Sequence, residues 1–148
     1  MNDEKIPYGA ILSHMTKTFK CAFKEEASKH NINATYAHIV MTLAHHPEGL
    51  TQHEIAERNH LAAPTVSLTL KQMESLGFIT RKVSEVDNRK TIVILTELGL
   101  ELDEKIKECF RIVESRMIKN ISDDDLIHFV KVLDLMKSNL RIDKENKE

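Results

Sequence analysis

Apolar residues near the start of the chain recur at helical spacing. From Tyr8 to His30, the residues Ile11, Leu12, Met15, Phe19, Ala22, Phe23 and Ala27 fall mostly three or four apart, with Lys17, Lys20, Lys24 and Glu25 between them. A period of about 3.6 residues gathers these positions on one face, so the pattern predicts a long amphipathic first helix. Asn31-Ile32-Asn33 interrupts it, and Asn33 is suited to cap a second helix through Tyr36, Ile39, Val40 and Leu43 that stops before Pro47-Glu48-Gly49. Thr51-Gln52-His53-Glu54 has the form of a capping box, in which the threonine and glutamate satisfy each other's backbone donors. A short third helix follows from it to about Asn59.

A fourth helix begins a few residues later. Pro64 sits in its first turn, where a missing N–H costs nothing, and Val66, Leu70 and Met73 share one face. Leu76-Gly77 closes it with a C-terminal glycine signal. Two short helices joined by so tight a turn predict a helix-turn-helix. After Gly77 the period changes: Phe78-Ile79-Thr80-Arg81-Lys82-Val83 and Thr91-Ile92-Val93-Ile94-Leu95 are β-branched or aromatic runs flanking the polar turn Ser84 to Lys90. A β-hairpin is therefore appended to the helix-turn-helix. Thr96 caps a long fifth helix striped by Leu98, Leu102, Ile106, Phe110, Val113 and Met117. Ser122-Asp123-Asp124-Asp125 opens a sixth, striped by Leu126, Phe129, Leu133, Met136 and Leu140, and the final DKENKE tail is expected to fray.

The fold class read from this inventory is mainly α (α+β). It is a winged helix-turn-helix with a two-stranded β-wing over residues 33–96, and a helical dimerisation region from the N- and C-terminal helices, residues 8–30 and 97–142. The dimer follows from the stripes: the first, fifth and sixth helices present more apolar face than one small core can cover, and surplus faces of this kind pair with a second copy.

Composition narrows the function. The 148 residues are 41% hydrophobic and 30% charged with four glycines, which suits one or two small domains. No run approaches the ~20 apolar residues of a membrane helix, and MNDEKIPYGAILSH lacks the form of a secretion signal, so the chain reads as cytoplasmic, with no membrane partner. There is no GxGxxG or Walker sequence to cradle phosphates, and no cofactor is implied. Cys21 and Cys109 form no CxxC pair. An enzyme would need a nucleophile with its base, paired carboxylates or a metal, and no such constellation is visible. The net charge of −2 conceals an asymmetry. Between Arg58 and Val93 six basic residues stand against three acidic ones, a net +3 that leaves −5 for the remainder. A cationic segment on an anionic body is suited to meeting phosphates.

The order of these residues resembles the MarR family of winged-helix transcriptional regulators over roughly residues 10 to 140. The likeness is carried by Pro64-Thr65-Val66-Ser67, by Leu70 through Gly77 to Arg81, by Asp87-Asn88-Arg89, and by Leu95-Thr96-Glu97-Leu98-Gly99. The resemblance implies a homodimeric, double-stranded-DNA-binding regulator acting on a roughly palindromic operator. It would usually be a repressor, released when a small, often aromatic or anionic effector enters a crevice between the dimerisation and DNA-binding parts. By the family's layout that crevice borders Met15, Phe19, Tyr36, His38 and Met41. Other members respond to cysteine oxidation or zinc, and none is characteristically an enzyme. The chain departs from the pattern at Ala62-Ala63, where a capping side chain is usual, and at Leu68 and Thr91, near places where relatives carry cations.

With Val66, Leu70 and Met73 inward, helical geometry turns Pro64, Leu68, Lys71, Gln72 and Ser75 outward and leaves Thr65, Ser67 and Thr69 on the flanks. In a major groove Gln72 suits an adenine edge, Lys71 a guanine or a phosphate, Thr65 and Ser67 either a base or a phosphate, and Leu68 a thymine methyl. At the wing, Arg89, with Lys90 beside it, suits a minor groove, and Asp87 would hold its guanidinium. Arg81 and Lys82 would meet the DNA backbone. The same fold used for protein contact is the rival reading, and it would show fewer cations and more aromatic anchors on this face.

Of the eight histidines, His45, His46, His53 and His60 read as solvated helix-end residues. A metal-responsive alternative has only His38, Glu26, His30 and Cys109 as candidates, and no metal site is assigned. Cys21, between Phe19 and Phe23, reads as a small buried hydrophobe, with redox sensing beside Lys17, Lys20 and Lys24 as the alternative. Met15, Met41, Met73, Met117 and Met136 read as core fillers.

Overall fold

The computed structural model describes residues 6–140, so the DKENKE tail lies outside the described residues. The elements are α1 (Tyr8–Lys29), α2 (Ala34–Ala44), α3 (Gln52–Asn59), α4 (Ala63–Ser75), β1 (Ile79–Val83), β2 (Thr91–Leu95), α5 (Glu97–Met117) and α6 (Asp123–Leu140). This is the winged helix-turn-helix expected from the pattern, with boundaries within a residue or two of it. None of these helices is long and apolar enough to cross a membrane.

Local chemistry sets the boundaries. α1 closes at Asn31, in the left-handed region at φ 56°. The N–H of Ile32 then reaches back to Ala27 O and that of Asn31 to Ser28 O. The Asn33 side chain accepts from Thr35 N at 2.9 Å and starts α2. The capping box forms in both directions: Glu54 N donates to Thr51 Oγ1 at 3.2 Å and Thr51 N donates to Glu54 Oε2 at 2.7 Å. α4 starts without a side-chain cap at Ala62 and ends in a Schellman closure, with Gly77 at φ 81° and Phe78 N donating to Met73 O. The Thr96 hydroxyl accepts from Gly99 N at 3.1 Å to cap α5.

β1 and β2 pair antiparallel from Ile79↔Leu95 to Val83↔Thr91. One contact absent from the sequence reading extends them: Leu50 bridges Val93, exchanging both backbone hydrogen bonds. Gly49 permits that approach, since a Cβ there would stand 2.8 Å from Ile92 and Ile94 side-chain carbons. The bridge ties the α2–α3 connection to the base of the wing.

The described chain divides into two compact units, the first ending at Glu114 and the second beginning at Ser115. The division falls inside α5 rather than at Thr96 because one core unites the winged helix with both flanking helices. Phe23 and Ala27 of α1 and Leu102, Ile106 and Cys109 of α5 belong to the same buried cluster as Ile39, Ile55, Val66, Leu70 and Met73. In the second unit, α6 begins where the Ser122 hydroxyl accepts from Asp125 N at 3.1 Å. None of its residues is buried, and Phe129, Val130 and Leu135 are more than half exposed. Two sequence expectations change with this core. Cys21 is exposed, because it lies about 200° around α1 from the buried Phe23. Met15 and Met117 are exposed as well, whereas Met73 is fully buried.

Candidate nucleic-acid interface

α4 buries Val66, Thr69, Leu70 and Met73 at helical spacing. Thr69 thus turns inward rather than to the flank, and its hydroxyl is satisfied by donating to Thr65 O at 2.8 Å. The opposite row, Pro64, Leu68, Lys71, Gln72 and Ser75, is exposed, with Thr65 exposed and Ser67 half-buried beside it. Leu68 is 61% exposed on this row. Gln72 is anchored as well as displayed: Tyr36, buried and tilted against Phe78, donates its hydroxyl proton to Gln72 Oε1 at 3.3 Å. The Gln72 amide N–H2 is therefore the end left for an incoming acceptor.

In the wing turn, the Asp87 carboxylate accepts from the Arg89 backbone N–H at 3.1 Å and from Arg89 Nε at 3.2 Å. These bonds, the backbone one first, hold the Asp87 carboxyl below the usual carboxylate range. The Arg89 side chain remains 91% exposed, so the pairing aims the guanidinium without burying it. Val86 at the tip is 98% exposed.

Arg81 behaves differently from an open backbone cation. Its Nε pairs with Glu74 Oε2 at 2.8 Å and a terminal nitrogen donates to Gln52 Oε1 at 3.3 Å, joining β1 to α4 and α3. The guanidinium is thus shared with Glu74 at the partly exposed junction of wing and recognition helix. Lys82 and Lys90 line a depression of about 340 Å3 that also holds Glu48, Glu54, Glu85 and Asp87, so their field is mixed. The partners Gln52 and Glu74 were missed in the sequence, since residues 29 and seven positions away from Arg81 carry no local signal.

The five effector-crevice residues are distributed over several depressions and the core. Phe19 and His38 join Phe23, Ala34 and Phe110 in an apolar cavity of about 330 Å3 with Lys20 and Lys24 on its wall. Met41 lies in a neighbouring cavity, Met15 in a depression made by α1 alone, and Tyr36 in the core. The spread follows from α2, where Tyr36 turns inward while His38 turns out. Phe23 and Phe110, stacked at 4.3 Å between ring centroids, are the wall residues not assigned from sequence. Glu26 pairs with Lys29 at 3.2 Å and with His30 at 3.3 Å. Among the described residues no three His, Cys, Asp or Glu side chains are grouped to hold a metal ion.

A family model described as the MarR family matches residues 32–91. The solved structure of MepR from Staphylococcus aureus in a DNA complex superposes with a TM-score of 0.74 at 26% identity, covering 92% of this chain and all of that one. Residues 32–91 of the chain match the MarR family. Two relatives from Bacillus subtilis are similar over a longer stretch. An uncharacterised helix-turn-helix transcriptional regulator, YdgJ, is 30% identical over 101 residues, 68% of this chain and 62% of its own length. An organic hydroperoxide resistance transcriptional regulator is 37% identical over 92 residues, 62% of this chain and 58% of its own length. The chain thus spans less than two thirds of either of these relatives. All three are transcriptional regulators rather than enzymes, and the matched MarR segment contains the whole helix-turn-helix and most of the wing.

Proposed function

We propose that the chain is a sequence-specific, double-stranded-DNA-binding transcriptional regulator, a homodimeric repressor released by a small-molecule effector. One observation carries this reading: a recognition helix with an exposed polar row stands next to a wing whose Arg89 is aimed outward by Asp87. The DNA complex of MepR supports it by likeness. In the mechanism, α4 enters the major groove, where Gln72 and Lys71 read base edges and Leu68 meets a thymine methyl, and Arg89 enters the adjacent minor groove. Lys82 and Lys90 add phosphate contacts, while Arg81 fixes the angle between helix and wing. A single copy offers few free cations, so tight binding requires two copies on half-sites about one helical turn apart. The exposed apolar side chains of α6 and, in the first unit, Ile11 and Leu12 of α1 are each available for such a pairing to cover.

The effector is a small aromatic or apolar anion. Its ring would lie among Phe19, Phe23 and Phe110, and its charge beside Lys20 and Lys24. Release of the operator by such a compound, lost in Phe19→Ala, is the outcome that supports the cavity. The decisive experiment for DNA is a salt titration of binding to a duplex from the region upstream of the gene. Arg89→Ala should lower affinity about tenfold and reduce the salt slope by about one. Unchanged binding removes the wing from the mechanism.

Exposure of Cys21, with Cys109 buried and its thiol pushed up chiefly by burial, favours a second reading in which oxidation of Cys21 releases DNA. Peroxide should then weaken duplex binding by the wild type and leave Cys21→Ser unaffected.

A further inference from the structure

A cavity of about 640 Å3 opens beside α2 and the α3–α4 turn, and no recognition-helix or wing residue lines it. Its wall carries Lys20 from α1, His38 and His45 from α2, Arg58 from the end of α3, and His60 from the turn. No aspartate or glutamate is among its lining residues. Thr42 Oγ1 donates to Asn59 Oδ1 at 3.1 Å within the same wall, fixing α2 to α3 there. The five cationic or imidazole side chains form no hydrogen bond or ion pair with the described residues. Glu48 and Glu54 feel the Arg58 charge at longer range, but neither pairs with it.

Two physical features point to a ligand. Lys20 and Arg58 line one concavity with three imidazoles and no acidic residue, and a multivalent anion there supplies acceptors to every donor. His60, the C-cap of α3, also stands in the left-handed region at φ 52°, where glycine is the usual occupant at a helix end. A guanidinium fork matches phosphoryl oxygens two at a time, which a lone ammonium does not.

We propose that this cavity binds a small multivalent oxyanion of the phosphoryl type, with Arg58 as its bidentate anchor. Lys20 is the second cation, and His38, His45 and His60 are N–H donors. The site is separate from the apolar cavity, with which it shares only Lys20 and His38. A bound anion would tie α1 to the helix-turn-helix through one set of charge-assisted bonds.

Inorganic pyrophosphate is the probe. Titration calorimetry of the full chain at low salt should show saturable binding at one site per chain. Arg58→Gln and Lys20→Gln should each weaken it about tenfold. Both residues are exposed, so circular dichroism should show an unchanged fold. His60→Gly relieves the left-handed strain, keeps the fold in any case, and should weaken binding severalfold. In NMR the imidazole signals of His38, His45 and His60 should move on titration, while those of His14 and His53 stay. No saturable heat at millimolar pyrophosphate, or wild-type affinity in all three variants, overturns the proposal. Loss of pyrophosphate binding when the protein is saturated with duplex DNA also overturns it, by making the cavity a contact for the DNA backbone.

Discussion

The two compact units of the chain differ in how they satisfy their apolar residues. The first closes on itself: Ile39, Val40, Ile55, Val66, Leu70, Met73 and Ile106 are all fully buried. The second carries the amphipathic α6, none of whose residues is buried, although Phe129, Val130 and Leu135 are as apolar as anything in the core. The first unit is specified within the chain. The second leaves the apolar stripe of α6 without a buried side among the described residues, and mutations in the two should therefore fail in different ways.

The largest effect is expected at Gly99. A Cβ there would lie 2.1 Å from the Phe78 carbonyl oxygen and 3.0 Å from a Leu95 methyl, where α5 leaves the wing. Backbone cannot yield as a flexible side chain can, so Gly99→Ala should cost about 3 kcal/mol or more. The loss should be read in urea unfolding at every protein concentration. A variant with a wild-type midpoint would show that this junction is looser than its geometry implies.

Leu135→Glu should act through association instead. Leu135 is 62% exposed in the single chain, so the first unit's core loses nothing when it changes. In a symmetric dimer the residue is lost twice, and association should weaken about 100-fold or more. Sedimentation at graded concentrations should show the shift to monomer, and the thermal midpoint should lose its dependence on concentration. A variant that sediments like the wild type removes this face of α6 from any interface.

The same contrast explains what the sequence disclosed. Local signals were legible because they act over a few residues: the Thr51–Glu54 capping box, Asn33, Gly77, and the change of period at Phe78 each marked an observed boundary. The outward row of α4 and the Asp87–Arg89 pair were legible for the same reason. What stayed hidden depends on chain folded back from afar. The single-residue bridge from Leu50 to Val93 has no periodicity to betray it, and Tyr36 beneath Gln72 is separated from it by 36 positions. Cys21 misled because hydrophobic neighbours in sequence, Phe19 and Phe23, lie on a helix face that its own position does not share.

A smaller effect separates the two helices of the helix-turn-helix. α3 carries a complete capping box, and α4 has Ala62 at its N-cap with no side-chain bond. Thr51→Ala should cost about 1 kcal/mol, and Ala62→Ser should gain up to as much. Both are readable as shifts in the denaturation midpoint. If Ala62→Ser stabilises the fold yet weakens duplex binding, the bare N-terminus of α4 is kept open for a phosphate rather than left unoptimised.

The smallest effect concerns the wing turn, where structure and binding should separate most cleanly. The Arg89 backbone and guanidinium donors hold the Asp87 carboxyl below its usual range, so the bonded form is favoured when Asp87 is ionised. A carboxyl depressed in the folded state contributes its stability above its unfolded pKa, about 3.9, and loses it as pH falls through the folded value. Between pH 7 and 5 the turn should therefore not change, and only as pH falls below the ordinary carboxylate range should the Arg89 amide lose its protection as its acceptor is protonated. Asp87→Asn separates the two bonds at neutral pH. Its amide oxygen can still accept from the Arg89 N–H, while the charge that orients the guanidinium is gone. Amide exchange at Arg89 should stay near wild type and duplex affinity should fall a few-fold, less than for Arg89→Ala. Equal losses in both variants would mean that Arg89 acts only when clamped, and no loss in Asp87→Asn would mean that the clamp plays no part in aiming it.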